Sequence, residues 1–248
     1  MNIVIAGEIF PPAVGGPATY TPKIANALYE RGHEVTVLCY SDASMKNDNY
    51  PYKVLQISFS KLKVGHYLRY TVQLFKLARN ADFVYAQGPV ASGLPAMAVC
   101  WFLNKKLVIK VVGDYAWEQA RGRGESHQSI DAFQSSLKKG LIGVLQRIER
   151  LTTSQATLVI VPSNYLKQLV AGWGAYEEKI KVIYNGVEIP STFRKENREY
   201  NTIVSMGRLV PWKGFEMLID IMPELLKRNP KFRMLILGSG PYKKILQE

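Results

Sequence analysis

Ile3-Val4-Ile5-Ala6 opens the chain as a short, wholly apolar run, of the kind that forms strands buried on both faces of a parallel sheet. A loop from Gly7 to Pro17 follows, then a helical stretch to Arg31. Gly32 stands where a helix C-terminal cap is expected, and Glu34 to Tyr40 is the next strand. Strand, loop, helix and strand in this order form a βαβ unit, and the rest of the chain repeats the theme. Further strands are expected at Lys53–Phe59, Phe83–Ala86, Leu107–Val112, Leu158–Val161 and Ile180–Tyr184. Alternation of this kind predicts an α/β fold, a doubly wound parallel sheet, for residues 1–190.

Two helical stripes are pronounced. Leu62 to Ala81 places Val64, Leu68, Thr71, Phe75 and Ala78 on one face, with Arg69, Gln73, Lys76 and Asn80 on the other. Ile130 to Thr152 reads as one long helix with Phe133, Leu137, Leu141, Val144, Ile148 and Leu151 in register. Such a stripe is the side a surface helix normally turns to the core.

The segment 191–200, with a charged run from Arg194 to Glu199, reads as a linker. A second α/β unit, residues 201–248, opens with a strand at Thr202–Ser205. It continues through the turn Met206–Gly214, a helix Phe215–Arg228, a strand Arg233–Leu237 and Gly238-Ser239-Gly240-Pro241, where another helix is expected to start. One βαβ unit cannot bury both faces of a sheet, so a complete second domain is expected to need about 100 further residues.

Composition narrows the partners. Hydrophobic residues make up 47% of the 248, enough for sizeable cores, and the formal net charge is +12. Such a basic chain meets something anionic: nucleic acid, an acidic membrane surface or a phosphorylated ligand. No helix-turn-helix, zinc finger or ribonucleoprotein pattern is present, so nucleic acid is not expected. Cys39 and Cys100 lie in apolar runs and read as core residues, without a disulfide framework or zinc spacing. The first ten residues lack the pattern of a secretory signal. The apolar run Pro89–Leu103 is shorter than the roughly 20 residues that span a bilayer. A cytoplasmic location is expected, at the inner face of the plasma membrane if the basic helices Lys61–Arg79 and Lys138–Arg150 meet anionic headgroups. An ordinary solvated face is the alternative.

The chemistry-bearing residues lie where strands end. Gly15 and Gly16, in the loop after the first strand, let backbone N–H groups approach an anion; the plain alternative is a proline-rich joining turn. Arg208 and Lys213, flanked by Gly207 and Gly214 on the strand-to-helix turn, suit a diphosphate, against the alternative of two solvated surface cations. Asp114 ends the strand Leu107–Val112 and could orient a sugar hydroxyl or accept its proton, or equally cap the helix starting at Tyr115. Ser163 stands before the helix starting at Tyr165, which it could cap; Asn185-Gly186 closes the last strand and often marks a turn and nothing more. No Asp-x-Asp pair or other metal-binding spacing occurs, and no cofactor is expected.

Taken in order, Phe10-Pro-Pro with Gly15-Gly16, Tyr29-Glu-Arg-Gly-His-Glu-Val35, Pro162-Ser163, Asn185-Gly186-Val187, Gly207-Arg208-Leu209 with Lys213-Gly214, and Leu237-Gly-Ser-Gly-Pro241 resemble the family 4 glycosyltransferases of the GT-B fold. The resemblance covers nearly the whole chain. It implies a Rossmann-like N-terminal domain for the acceptor, a second Rossmann-like domain for a nucleotide-diphosphate sugar, and transfer with retention. It places Gly15, Gly16, Arg208, Lys213, Asn185, Gly186 and Gly238 with the donor, and Tyr20, Asp114 and Ser163 with a hydroxyl acceptor such as a lipid-linked glycan. The chain departs from the family pattern at Gly113-Asp114, where many members carry histidine. The family's pair of glutamates seven residues apart is expected beyond Glu248. The segment alone is therefore expected to be inactive. Other GT-B enzymes, an epimerase or a phosphorylase, are the rival reading.

Overall fold

The computed structural model describes residues 1–41, 50–59, 63–135, 137–187, 189 and 201–247. They divide into two compact units: Met1–Ala116 with Gln134–Asn185, and Trp117–Phe133 with Gly186–Glu248. The sequence reading did not separate Trp117–Phe133 from the first domain, and its linker 191–200 lies outside the described residues.

The first unit runs β1 (Asn2–Ala6), α1 (Gly16–Glu30), β2 (Glu34–Ser41), β3 (Lys53–Ser58), α2 (Lys63–Ala78), β4 (Phe83–Ala86), α3 (Gly93–Leu103) and β5 (Lys106–Lys110). After β5 come α4 (Tyr115–Gly122), α5 (Ile130–Gln134), α6 (Gly140–Gln155), β6 (Leu158–Val161), α7 (Asn164–Gly172) and β7 (Ile180–Val182); α4 and α5 run across the boundaries between the units. Seven strands pair in the order β3-β2-β1-β4-β5-β6-β7, and every pairing is parallel. All seven expected strands are present, the third, fifth and seventh ending earlier than read. Strand order reverses direction between β1 and β4, and ligands of such sheets bind at the carboxyl ends beside that switch.

The core on one face is built from Ile3, Ile5, Phe10, Ala25, Val35, Val37 and Cys39. Alternate residues of β1 and β2, Val4 and Leu38, are equally buried on the other side. Both faces of the central strands are therefore apolar, as their unbroken runs require.

Two sequence expectations are corrected. The helix read across Ile130–Thr152 is two helices, and Gly140, with a left-handed φ of +61°, opens the second of them, α6. The stripe of α6 does not face the core as read, and that of α2 does so fully only at Ala78, with Thr71 and Phe75 half-buried. In α2 the buried residues include His66, Tyr70 and Leu74, while Leu68 is 64% exposed. In α6 Gln146, Glu149, Thr152 and Thr153 are buried, while Leu141, Val144 and Leu151 face outward. The apolar stretch after Pro89 supplies α3, a helix in its own right.

The second unit contains β8 (Thr202–Met206), α8 (Phe215–Asp220), α9 (Met222–Arg228) and β9 (Arg233–Leu237), with β8 and β9 parallel in register from Thr202↔Arg233 to Met206↔Leu237. The helix read across Phe215–Arg228 breaks at Ile221, where Pro223 opens the next helix. After Pro241 the chain forms turns and a 3₁₀ segment, Ile245–Gln247, in place of the expected helix.

Candidate functional site

In the first unit the site begins where β1 ends. Tyr70 is fully buried, and its hydroxyl donates to the carbonyls of Gly7 (3.0 Å) and Leu38 (3.3 Å), fixing the start of the loop after β1. Gly88, just past β4, comes so close to Glu8 that a Cβ there would lie 2.4 Å from its Oε1. The loops leaving β1 and β4 therefore meet at the switch point. Gly15 packs against Ile9, where a Cβ would be 2.8 Å from Cδ1. Gly16, by contrast, is exposed and opens α1 with nothing within 4 Å of a Cβ position. Helix α1 has no side-chain cap and no acidic residue in its first turn. Its N-terminus leaves backbone N–H groups and the positive end of the helix dipole to whatever anion arrives.

Tyr20, one turn into α1, faces two partners. Its hydroxyl lies 3.4 Å from that of Tyr85 on β4, and the Lys110 ammonium sits 3.2 Å above its ring centroid. Burial, together with the neighbouring Tyr20 phenol, pushes the Tyr85 phenol well above its ordinary pKa, so it stays protonated. Lys110 closes β5 and is 3% exposed. Its Nζ also donates to Asn185 Oδ1 at 2.7 Å. One buried cation thus joins α1 to the chain just beyond β7. The sequence reading missed Lys110. Its signal was a cation closing the strand Lys106–Lys110 directly after the apolar Leu107–Ile109, a position that costs several kcal/mol when buried unless the charge is used.

Asp114 is where it was expected, past the end of β5, but it is not open to a ligand. It is 2% exposed and accepts from Gln134 Nε2 at 2.7 Å, while Gln134 Oε1 accepts from Trp173 Nε1 at 2.9 Å. A substrate hydroxyl would have to displace Gln134. A second carboxylate serves the start of α4: Glu149 of α6 accepts from Tyr115 N–H (2.7 Å) and Ala116 N–H (3.4 Å). Ser163 takes its plain role: its Oγ accepts from Leu166 N–H at 3.2 Å as the N-cap of α7.

In the second unit, Arg208 and Lys213 are both exposed on the segment between β8 and α8. Backbone bonds hold this segment. Gly207 N–H donates to Leu237 O (3.0 Å), Leu209 N–H to Ser239 O (2.9 Å) and Tyr242 N–H to Leu209 O (3.2 Å). The strand pairing therefore continues past Arg208, with bonds on either side of it. Glycine is required for this closeness: a Cβ on Gly238 would lie 1.9 Å from Gly207 O, and one on Gly240 would lie 2.1 Å from Leu209 O. Leu209, Val210 and Phe215 are buried beneath the segment. The helix terminus expected beside the cations is weak. A 3₁₀ turn, Pro211–Lys213, and a left-handed Gly214 intervene, and α8 has six residues with Glu216 in its first turn. Fixed positive charge here comes from the two side chains. Among the described residues neither has an ion-pair partner, and no group of three or more His, Cys, Asp or Glu could hold a metal ion. Gly186 is exposed and opens this unit's later part.

Comparison with known proteins agrees with this layout. The family model described as Glycosyltransferase Family 4 matches residues 14–189, and that of the glycosyl transferases group 1 matches residues 188–248. The chain is 24% identical over 259 residues to one component of the human phosphatidylinositol N-acetylglucosaminyltransferase, covering all of this chain and 50% of that protein. It is 21% identical over 272 residues to the Streptococcus pneumoniae alpha-monoglucosyldiacylglycerol synthase, covering all of this chain and 58% of that protein. The chain thus spans about half to three fifths of these relatives. Among solved structures, Anabaena HepE in complex with UDP superposes with a TM-score of 0.67 at 21% identity, over 99% of this chain and 63% of that one. The fold is α/β of the GT-B type.

Proposed function

Since the chain belongs to glycosyltransferase family 4, we propose that the whole protein moves a sugar from a nucleotide-diphosphate donor to a hydroxyl acceptor, with retention of configuration at the transferred carbon. The observation that carries this reading is the pinned turn bearing Arg208 and Lys213 with no carboxylate partner among the described residues. A guanidinium and an ammonium held there would neutralise the diphosphate as it departs, in place of a metal ion. Gly238 serves by allowing the two turns to close.

In the first unit the open Gly16 amide, with Gly15 behind it, meets the distal phosphate at the N-terminus of α1. Tyr20 lines the acceptor side, held by Tyr85 and Lys110. Asp114, held by Gln134, and Ser163 bound the same edge of the sheet. Asn185-Gly186 carries the chain onward, and Lys110 fixes its position. The acceptor is a lipid-borne hydroxyl, as in glycolipid, lipopolysaccharide or polysaccharide synthesis. Two relatives are named for work on phosphatidylinositol and a diacylglycerol glycoside. The net charge of +12 favours work at an anionic membrane surface, the inner face of the plasma membrane.

The test is product analysis with the intact protein, a panel of labelled nucleotide sugars and a lipid extract as acceptor. Transfer to lipid with the donor's anomeric configuration kept is expected. Hydrolysis or epimerisation of the donor with no acceptor product would reject the reading.

A further inference from the structure

Helices α2, α3 and α6 lie side by side, α3 touching both of the others, and their outward face is apolar. In α6 the usual arrangement is inverted: Leu141 and Leu151 are 49% and 48% exposed, while Gln146 and Glu149 are buried. Helix α3 is apolar on all sides, yet Trp101 and Phe102 near its end are 83% and 70% exposed. Leu68 and Val72 of α2 extend the surface. Contacts link the three helices across this face. Phe102 packs 5.6 Å from Phe75 of α2, and Trp101 shares with Leu151 of α6 an open groove of about 460 Å³. A contiguous apolar area of this kind has a partner.

The charge on the same helices selects that partner. Arg69 and Lys76 on α2 and Arg147 on α6 are exposed among the apolar side chains, and Lys105 lines the groove. The three helices contain one acidic residue, Glu149, which is buried and bonded to the amides opening α4. A second copy pairing through this patch would set cation against cation. A bilayer with anionic headgroups satisfies both features, since the cations meet phosphate while the apolar side chains reach the acyl boundary.

We propose that the outward face of α2, α3 and α6 is a membrane-docking surface for an anionic bilayer, with Trp101 and Phe102 inserted among the lipids. The inference concerns binding alone and holds whether or not the donor and acceptor assignments above survive. No helix among the described residues is long and apolar enough to cross a membrane, so docking is peripheral.

The experiment is co-sedimentation of the intact protein with phosphatidylserine-containing and with pure phosphatidylcholine vesicles. Binding to the first that falls with salt is expected. Trp101→Gln with Phe102→Gln weakens it by about ten-fold or more, and Arg147→Gln or Lys76→Gln weakens it by about five-fold each, equivalent to ~1 kcal/mol per cation. Both aromatic residues are solvent-exposed, so circular dichroism of the double variant should match the wild type. Brominated lipid should quench tryptophan emission in the wild type and not in Trp101→Phe. Equal binding to both vesicle types, or undiminished binding by the double variant, would overturn the proposal. Self-association that the double variant abolishes would assign the face to a second copy.

Discussion

Replacing Lys110 by methionine separates two roles that a buried cation can have. The ammonium is 3% exposed, 2.7 Å from Asn185 Oδ1 and 3.2 Å above the Tyr20 ring. Its hydrogen bond contributes about 1.5–3 kcal/mol, and the desolvated cation–π contact about 2 kcal/mol. Against these stands a desolvation cost of several kcal/mol for the ammonium. The terms nearly cancel. Methionine has a similar unbranched length, keeps the contact with Tyr20 and carries no charge, and the exposed Asn185 turns to water. Stability is therefore expected to change by no more than about 1 kcal/mol, a Tm shift of about 2–4 °C by thermal circular dichroism. Sugar transfer is expected to fall about 10- to 100-fold in kcat/KM, because Tyr20 and Asn185 lose the group that aligns them. A loss of several kcal/mol with activity per folded molecule unchanged would refute the reasoning and make Lys110 a structural residue.

Gly238→Ala places a methyl 1.9 Å from Gly207 O, so the second unit should lose about 3 kcal/mol, read as a lower denaturant midpoint for its transition; an unchanged midpoint would show that the two turns can part freely. Burial pushes the Cys39 and Cys100 thiols up to about 12, above the ordinary value of about 8.5 at which the unfolded chain gives up its protons. The folded state therefore binds more protons between those limits. Stability should fall as pH rises above about 9, by ~1.4 kcal/mol per pH unit for each thiol. Denaturant midpoints across that range test this, and a flat profile would contradict it. Gln134→Leu removes one donor to a buried carboxylate and should destabilise the first unit by about 1.5–3 kcal/mol, whereas a neutral result would mean that this hydrogen bond adds nothing to stability.

The strands were legible because buried parallel strands are short unbroken apolar runs, and Ile3–Ala6 or Leu158–Val161 admits few other readings. The orientation of α6 was not, because most of its buried polar atoms, Gln146 Nε2 excepted, find partners inside. Gln146 Oε1 accepts from Lys138 N–H, Glu149 caps α4, and Thr152 and Thr153 bond back to carbonyls of the preceding turn. Periodicity reports which residues are apolar; it does not report whether the polar side has been provided for within. The place of Arg208 and Lys213 on an exposed turn after a strand could be read from their glycines. Lys110 could not be given a role, because its partners lie far away in sequence: Tyr20 on α1 and Asn185, 75 residues on. For Asp114 the sequence offered a cap or a ligand contact; its burial and its bond from Gln134, twenty residues later, had no local signal.

Calorimetric titration of the intact protein with a nucleoside diphosphate, with chelator present, reaches the central claim most directly. Binding that the chelator leaves unchanged is expected, weakened about 10- to 100-fold by Arg208→Ala and by Lys213→Ala, the loss of one charged contact of about 1.5–3 kcal/mol in each case. Affinity that is the same in both variants, or that vanishes when chelator is added, would contradict the account.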